Sequence, residues 1–480
     1  MVVSMNDKLS AGSGRIRSQI TPAFELLYLS CVCLMTLEIA IPLPVSLYKG
    51  LYVATFMAMG LKLLLERKYP PKGLFTALRR HLGVVIIFIL FFLYLLADAV
   101  GVLYSPVPDF ALTKYLVILP MLLFLIPTFY YAKTQEALDK LYRTLAISGV
   151  LIGLLSLSNY FVFEFMPLHF IRRLSMIADY NRYAENLFVS LILGSFFILN
   201  ARFKPRIQTV LLFLNLTFHS IIITLSGSRR TMILLIPSVA AVLLYKAFYV
   251  TRYSATERSA FRRLAIGAVL TALCVGVVFA AECGFEWYSD IKYQQELADG
   301  NSVAEENSVE NVIESIGTGG MFSKRLVIWR TAYQEAQTYG FKDILFGRGS
   351  GYEVHFYDVT ENRELAAEYS GLKNKPKNWM NPHNFILADF LSGGIVKLGL
   401  SLALMGAIVA RLVLLFARRP GRALPLIITM GLLYFNVFIS GRYGIAYDKF
   451  FYLLLAALIA ESVLAARADK GEARRPNGSY

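Results

Sequence analysis

Apolar runs of about 20 residues recur along the chain, separated by short polar stretches. Twelve can be marked, at roughly 24–41, 47–65, 82–104, 112–132, 144–165, 185–201, 207–226, 231–250, 264–283, 384–417, 423–440 and 448–466. A segment inside lipid must satisfy its own backbone donors and acceptors, so runs of this length predict spanning helices. The expected fold is an all-α polytopic membrane protein with about twelve transmembrane helices. The run 384–417 exceeds one bilayer crossing, so it is predicted to tilt or to extend past the surface. Asp389 and Lys397 lie within it, and Gly393-Gly394 is expected to let its first turns bend. The one long interruption, 284–382, divides the chain. An N-terminal bundle of about nine spans covers 1–283, and 284–382 forms a largely helical loop subdomain. About three spans follow over 383–467, ending in a basic tail at 468–480.

Composition agrees with the pattern. The 480 residues are 56% hydrophobic and only 17% charged, with mean hydropathy +0.54, too apolar for a soluble chain of this length. The net charge of +15 does not require nucleic acid, because its positions follow membrane topology. With the N-terminus inside, inner segments hold Arg67/Lys68/Lys72/Arg79/Arg80, Lys133/Lys140/Arg143, Arg202/Lys204/Arg206, Lys246/Arg252/Arg258/Arg262/Arg263 and Arg418/Arg419/Arg422. Both termini are then expected in the cytoplasm, with the net acidic loop 284–382 outside. Residues 1–20 are polar and the first apolar run is long enough to span, so no cleavable signal peptide is expected. Cys31, Cys33, Cys274 and Cys283 have neither metal-ligand spacing nor a disulfide pattern.

Some outer arginines break this rule. The expected outer segments at 42–46 and 105–111 contain no Lys or Arg. By contrast 166–184 holds Arg172, Arg173 and Arg182, the turn 226–231 holds Arg229-Arg230, and the turn 440–444 holds Arg442. A guanidinium matches phosphate with a bidentate fork, so an anion at the outer membrane surface would account for them. Pairing with outer carboxylates or lipid headgroups would account for them too.

The long loop changes character twice. Residues 285–318 are polar and acidic with a weak helical pattern, and include Glu305-Glu306-Asn307. From Ser323 to Tyr333, apolar residues at 326, 329, 332 and 333 predict an amphipathic helix with Arg325 near its start. Trp329 suits a headgroup interface, although a surface helix packed on the membrane domain would show the same pattern. Gly347, Gly349 and Gly351 flank Arg348 and Ser350 and predict a tight turn. Asn381 is a favourable N-cap and Pro382 suits a first helical turn, which places His383 where polar chain enters an apolar helix. A histidine there can exchange protons near neutrality, and a capping role is the alternative. No His/Cys/Asp cluster or paired DxD asks for a metal, and no cofactor is implied.

Taken together, three stretches resemble the O-antigen ligase and polymerase family of bacterial envelope glycosyltransferases. Leu225-Ser226-Gly227-Ser228-Arg229-Arg230 is similar to the family's Ser-Arg motif. Ser323-Lys324-Arg325-Leu326-Val327-Ile328-Trp329 is similar to its Arg-x-x-x-Trp helix, leading into Phe346-Gly347-Arg348-Gly349, where the family has a Gly-x-Gly turn. Pro382-His383-Asn384-Phe385, followed by Gly393-Gly394 and Gly399-Leu400, is similar to its His-Asn motif. Asp179-Tyr180-Asn181-Arg182 matches an Asp-Pro-Asn segment with tyrosine replacing the proline. The similarity covers about residues 170–400.

The resemblance implies transfer of a glycan from an undecaprenyl-diphosphate carrier to an acceptor at the outer face of the bacterial inner membrane. Arg229 and Arg325 would hold the carrier's pyrophosphate, and His383 would orient or deprotonate the acceptor hydroxyl. Arg230, Arg172, Arg173, Arg182, Asn181, Asn384, Trp329, Arg348 and Arg442 are the further candidates for substrate binding. The implied reaction is a metal-independent, inverting displacement, because cations at a departing diphosphate can do the work of a metal. A ligase would use lipid A-core as acceptor and a polymerase a lipid-linked repeat unit, while transfer to a protein hydroxyl is a third variant. Twelve spans with intramembrane charge also fit a flippase for lipid-linked oligosaccharides, which would be expected to show two related halves and a charged central cavity.

Overall fold

We describe the protein from a computed structural model. It describes residues 21–37, 45–65, 82–163, 166, 168, 170–177, 179–201, 203–247, 260–298, 323–359, 382–440 and 444–469. Among these the ordered elements are helices and helical turns. They are α1 (Thr21–Leu37), α2 (Val45–Leu65), α3 (Leu82–Leu103), α4 (Pro108–Leu116), α5 (Ile118–Tyr131), α6 (Gln135–Ser158), α7 (Tyr180–Asn200) and α8 (Pro205–Leu225). They continue as α9 (Arg229–Tyr245), α10 (Ala260–Ala298), α11 (Ser323–Gln337), α12 (Phe341–Phe346), α13 (Tyr352–Val359), α14 (Phe385–Arg418), α15 (Pro420–Ser440) and α16 (Lys449–Asp469). The expected run 112–132 is divided between α4 and α5, and the other runs, where described, fall on helices. Among the described residues eight helices are long and apolar enough to cross a membrane, and Thr21–Leu37 and Gly50–Leu64 are shorter apolar helices. The protein is an all-α polytopic membrane protein. The acidic Glu305-Glu306-Asn307 stretch and the basic tail beyond Asp469 lie outside the described residues.

The chain forms two compact units, one from 1–71 and 130–306, the other from 72–129 and 307–480. In the first, α7 is the central helix, buried along nearly its whole length from Tyr183 to Phe196. Its apolar residues run all the way round rather than along one stripe, as a fully enclosed helix requires. Small residues let its neighbours approach closely, as in other membrane helix pairs. A Cβ on Gly149 of α6 would collide with Ser190 of α7, and one on Gly153 with Ile222 and Phe218 of α8. Polar groups inside this unit are matched across helices. Ser190 donates to the Leu145 carbonyl at 2.7 Å, Asn186 to the Thr36 carbonyl at 2.7 Å, and Asn215 to Ser195 Oγ at 2.9 Å. Helix α10 continues through residue 283, where the apolar run stops, and ends at Ala298.

The second unit is organised around α14, which packs on α3, α15 and the short helices α11–α13. The expected bend in α14 is a break at Gly394, with φ 62° and ψ −159°. Its start differs from expectation. Asn384, rather than Asn381, caps the helix, its side chain accepting from Ile386 N at 2.9 Å and Leu387 N at 3.4 Å. Pro382 lies outside the helix because His383 is left-handed, with φ 48°, so the helical path cannot pass through it. Asn381, Trp379 and Met380 lie outside the described residues. Helix α11 forms as predicted, but Tyr333 points outward and its buried face holds Thr331, Ala332 and Glu335. Ala332, Tyr339, Tyr352, Phe356 and Leu391 form a small core beneath α11–α13.

Gly394 has a left-handed φ, and a Cβ there would collide with the backbone of Ile344 and Leu345. Replacement with Ala is expected to lower unfolding stability by at least ~2 kcal/mol. Gly399, five residues on, has open space around it, so Gly399→Ala should leave stability unchanged or slightly raised. Melting both variants in detergent beside wild type checks the contrast.

Candidate functional site

The break in α14 frees carbonyls that would otherwise bond within the helix, and the glycine loop 347–351 supplies their donors. Arg348 N donates to the Leu391 carbonyl and Gly349 N to the Ser392 carbonyl, each at 3.0 Å. The Tyr339 hydroxyl also reaches Leu391 O, at 2.9 Å. On its other side the loop is held by α3: Ser350 N donates to Gly101 O at 3.0 Å. Just past the end of α3, Ser105 Oγ donates to Ser350 O at 2.7 Å. All three loop glycines have left-handed φ, at 68°, 98° and 89°. A Cβ on Gly347 would strike the backbone of Ser392 and Gly393. The loop is therefore more than a turn. It replaces the helix's own hydrogen bonding at the break.

Arg348, expected to bind substrate, is held by internal partners. Its guanidinium donates to Glu335 Oε1 at 2.5 Å, to the Tyr352 hydroxyl at 2.8 Å, to Thr338 Oγ1 at 3.1 Å and to Asp343 Oδ2 at 3.2 Å. It also lies over the Tyr339 ring, 4.6 Å from its centre. Burial works against this cation, but the Tyr352 hydroxyl and the two carboxylates outweigh it and hold it above its ordinary value. Burial and the Glu335 hydrogen bond keep the Tyr352 phenol protonated well above its usual range. These contacts fasten α11, α12 and α13 to one another. His383 is half-buried in the left-handed position just before the Asn384 cap, and Phe385 and Ala388 behind it are buried.

The first unit gathers the other candidates around the turn from α8 to α9. Gly227 takes φ 70° just past the end of α8, and a Cβ there would press on the Arg173 side chain. Arg229 and Arg230 then form the first two residues of α9, and Arg229 is half-buried there. Basic residues at that end oppose the helix dipole, and the free N–H groups there favour an anion. Asn181, at the start of α7, accepts from Arg230 Nε at 3.2 Å and from Ser228 Oγ at 3.0 Å. The Asp179-Tyr180-Asn181 segment and the Ser-Arg motif, far apart in sequence, thus meet. Arg173 stacks on Tyr180, 4.3 Å from the ring centre. Arg172 pairs with Asp290 of α10 at 2.9 Å, and the exposed Arg182 lies 4.0 Å from Asp179.

Three candidates are placed less fully. Arg325 lies in the first turn of α11, in the second unit. Trp329 is half-buried on the same helix, its ring 6.3 Å from that of Phe438. Arg442 lies outside the described residues. The candidates thus divide between the units: Arg172, Arg173, Asn181, Arg182, Arg229 and Arg230 belong to the first, and Arg325, Trp329, Arg348, His383 and Asn384 to the second. Sequence reading misses Glu335, Asp343 and Tyr352, which hold Arg348. A signal for Glu335 exists, since it shares a helical face with Thr331 and Ala332.

Arg348→Lys keeps the charge but loses the planar fork that reaches four partners. It is expected to destabilise the protein by ~2 kcal/mol, the scale of charged hydrogen bonds lost around a buried carboxylate. Thermal unfolding in detergent tests this, and a wild-type melting temperature would refute the anchoring role.

Comparison with known proteins adds a family. No curated protein matches the chain. Residues 210–402 match the family model described as O-antigen ligase, a stretch that includes the α8–α9 turn, α11–α13 and the first half of α14. The motif resemblance, over about residues 170–400, and the family match overlap from residue 210 onward, and this segment is similar to the O-antigen ligase family.

Proposed function

We propose that the protein is an inner-membrane glycosyltransferase that moves a glycan from undecaprenyl diphosphate to lipid A-core at the periplasmic face. The observation that carries this reading is the placement of Arg229 and Arg230 in the first turn of α9. Two cations at the positive end of a helix cost stability unless an anion joins them. Arg230 is oriented by Asn181, and Arg229 precedes it at the first helical position. In this reading Arg229 and Arg325 grip the pyrophosphate, and Arg230, with Arg172, Arg173, Arg182 and Arg442, shapes its surroundings. Arg348 is given a structural role, for the reasons above.

The chemistry divides between two tasks. Breaking the bond from the anomeric carbon to the diphosphate leaves negative charge on the departing oxygen, and fixed cations there lower the barrier. The attacking hydroxyl gains nucleophilicity as a base takes its proton, the role assigned to His383. Asn384 holds the start of α14 through its cap, and a helix N-terminus beside the base favours the incoming anionic substrate. A single displacement inverts the anomeric centre. The large loop faces the periplasm in this arrangement, with both termini in the cytoplasm.

The test uses a deletion strain carrying wild type, His383→Ala or Arg229→Ala, with envelope glycans separated by size and attached lipid. Long chains accumulating on the carrier without reaching lipid A-core in the deletion are the expected result. Single repeat units on lipid A-core would instead mark a polymerase. Glycan held in the cytoplasmic leaflet would mark a flippase and overturn the reading. In purified protein, His383→Ala is expected to slow transfer ~10²–10⁴-fold and Arg229→Ala ~10²–10³-fold. Full activity in a correctly inserted variant would remove that residue from the mechanism.

A further inference from the structure

Directly beside the break in α14 lies a group of ionisable residues that the transfer chemistry does not use. Asp98 of α3, Lys114 of α4, Glu353 of α13, and Asp389 and Lys397 of α14 are each buried, with side chains no more than 2% exposed. Lys397 stands just past the break and its contacts run to both sides. Its Nζ donates to Asp98 Oδ1 at 2.7 Å and to Ser392 Oγ at 3.0 Å, and lies 3.5 Å from Asp389 Oδ1. Asp98 accepts from Ser350 Oγ at 3.1 Å and from the Tyr447 hydroxyl at 2.5 Å, and Lys114 lies 3.9 Å away while pairing with Glu353. The Tyr94 hydroxyl of α3 donates to Asp389 Oδ1 at 3.0 Å. Gly393 makes the arrangement sterically feasible, because a Cβ there would collide with the Lys397 stem.

We propose that Lys397 is a positioning residue for glycan transfer. By joining Asp98 of α3 to Ser392 and Asp389 across the break, it fixes the angle of the short half-helix that starts at Phe385, and with it His383. The proposal rests on the role given to His383 above. What the tether contributes is direction rather than strength. Buried ion pairs contribute little net stability compared with apolar residues of similar size, but their bonds are directional and can select one arrangement. Two adjacent glycines give a helix junction freedom to rotate, which the loop bonds at Leu391 and Ser392 limit from one side. A tether whose three partners sit on the preceding half-helix and on a neighbouring helix removes that freedom. Lys397 is also a buried charge on a helix apolar enough to cross a membrane, where such residues are usually functional.

The test pairs geometry with kinetics. Spin labels at Ile386 and Leu402, one on each half of α14, report the angle without requiring activity. Lys397→Met is expected to broaden their distance distribution and reduce kcat by ~10²-fold, the loss that follows a displacement of about 1 Å, with the KM for the lipid-linked donor near wild type. Should that variant fail to fold, Asp98→Asn/Lys397→Met restores the original charge balance. The double variant is expected to melt near wild type while keeping the broad distribution and low kcat. A narrow distribution with wild-type turnover in the double variant would overturn the proposal, leaving the cluster a stabilising role alone. Wild-type protein that shows no transfer would count against the proposed function, while the distance measurement would still decide the tether.

Discussion

Interrupting a helix where it is buried leaves carbonyl groups without donors, in a place where water is scarce. That constraint shapes the second unit. Once Gly394 turns α14 aside, Leu391 and Ser392 need partners, and the backbone N–H groups of Arg348 and Gly349 provide them. A chain can approach a helix backbone this closely only where a Cβ is missing at the contact, and Gly347 meets Ser392 and Gly393 while Gly394 meets Ile344 and Leu345. Tyr339, the buried carboxylate of Glu335 and the fork of Arg348 then keep the loop in place. Broken helix, glycine loop and short helices form one interdependent structure, and its product is a short half-helix presenting Asn384 and His383 at its start.

The first unit solves a different problem by local means. An enclosed α7 packs through small residues, and its N-terminal end carries Asn181 to the turn before α9. A left-handed glycine ends α8 abruptly and lets α9 begin two residues later. The exposed N–H groups of that new helix and the arginines beside them concentrate positive potential in a small volume.

Much of this is legible in the sequence because it depends on period and composition. The apolar runs, the bend at Gly393-Gly394 and the helix beginning at Ser323 all follow from local chemistry. The start of α14 lies three residues beyond the local signal, because Asn381-Pro382 looks like a favourable cap and nothing nearby says that His383 is left-handed. The partners of Arg348 are hidden for a similar reason. A glycine-flanked arginine in an outer loop suggests a ligand, whereas its partners Glu335, Asp343 and Tyr352 lie on three separate helices. Asp98 and Lys397 are 299 positions apart. No spacing rule links residues that distant, and their pairing is visible only in the folded chain.

The length of α10 has a mechanical consequence. At 1.5 Å per residue its 39 residues extend for about 58 Å, whereas the hydrocarbon core is only about 30 Å thick. The polar end of this helix, from about Gly284 to Ala298, is thus a stiff spacer continuous with a membrane-embedded rod. Flexible linkers absorb movement, but a continuous helix transmits it. Tilting of the embedded part would swing the far end through an arc, carrying Asp290 and the Arg172 paired with it.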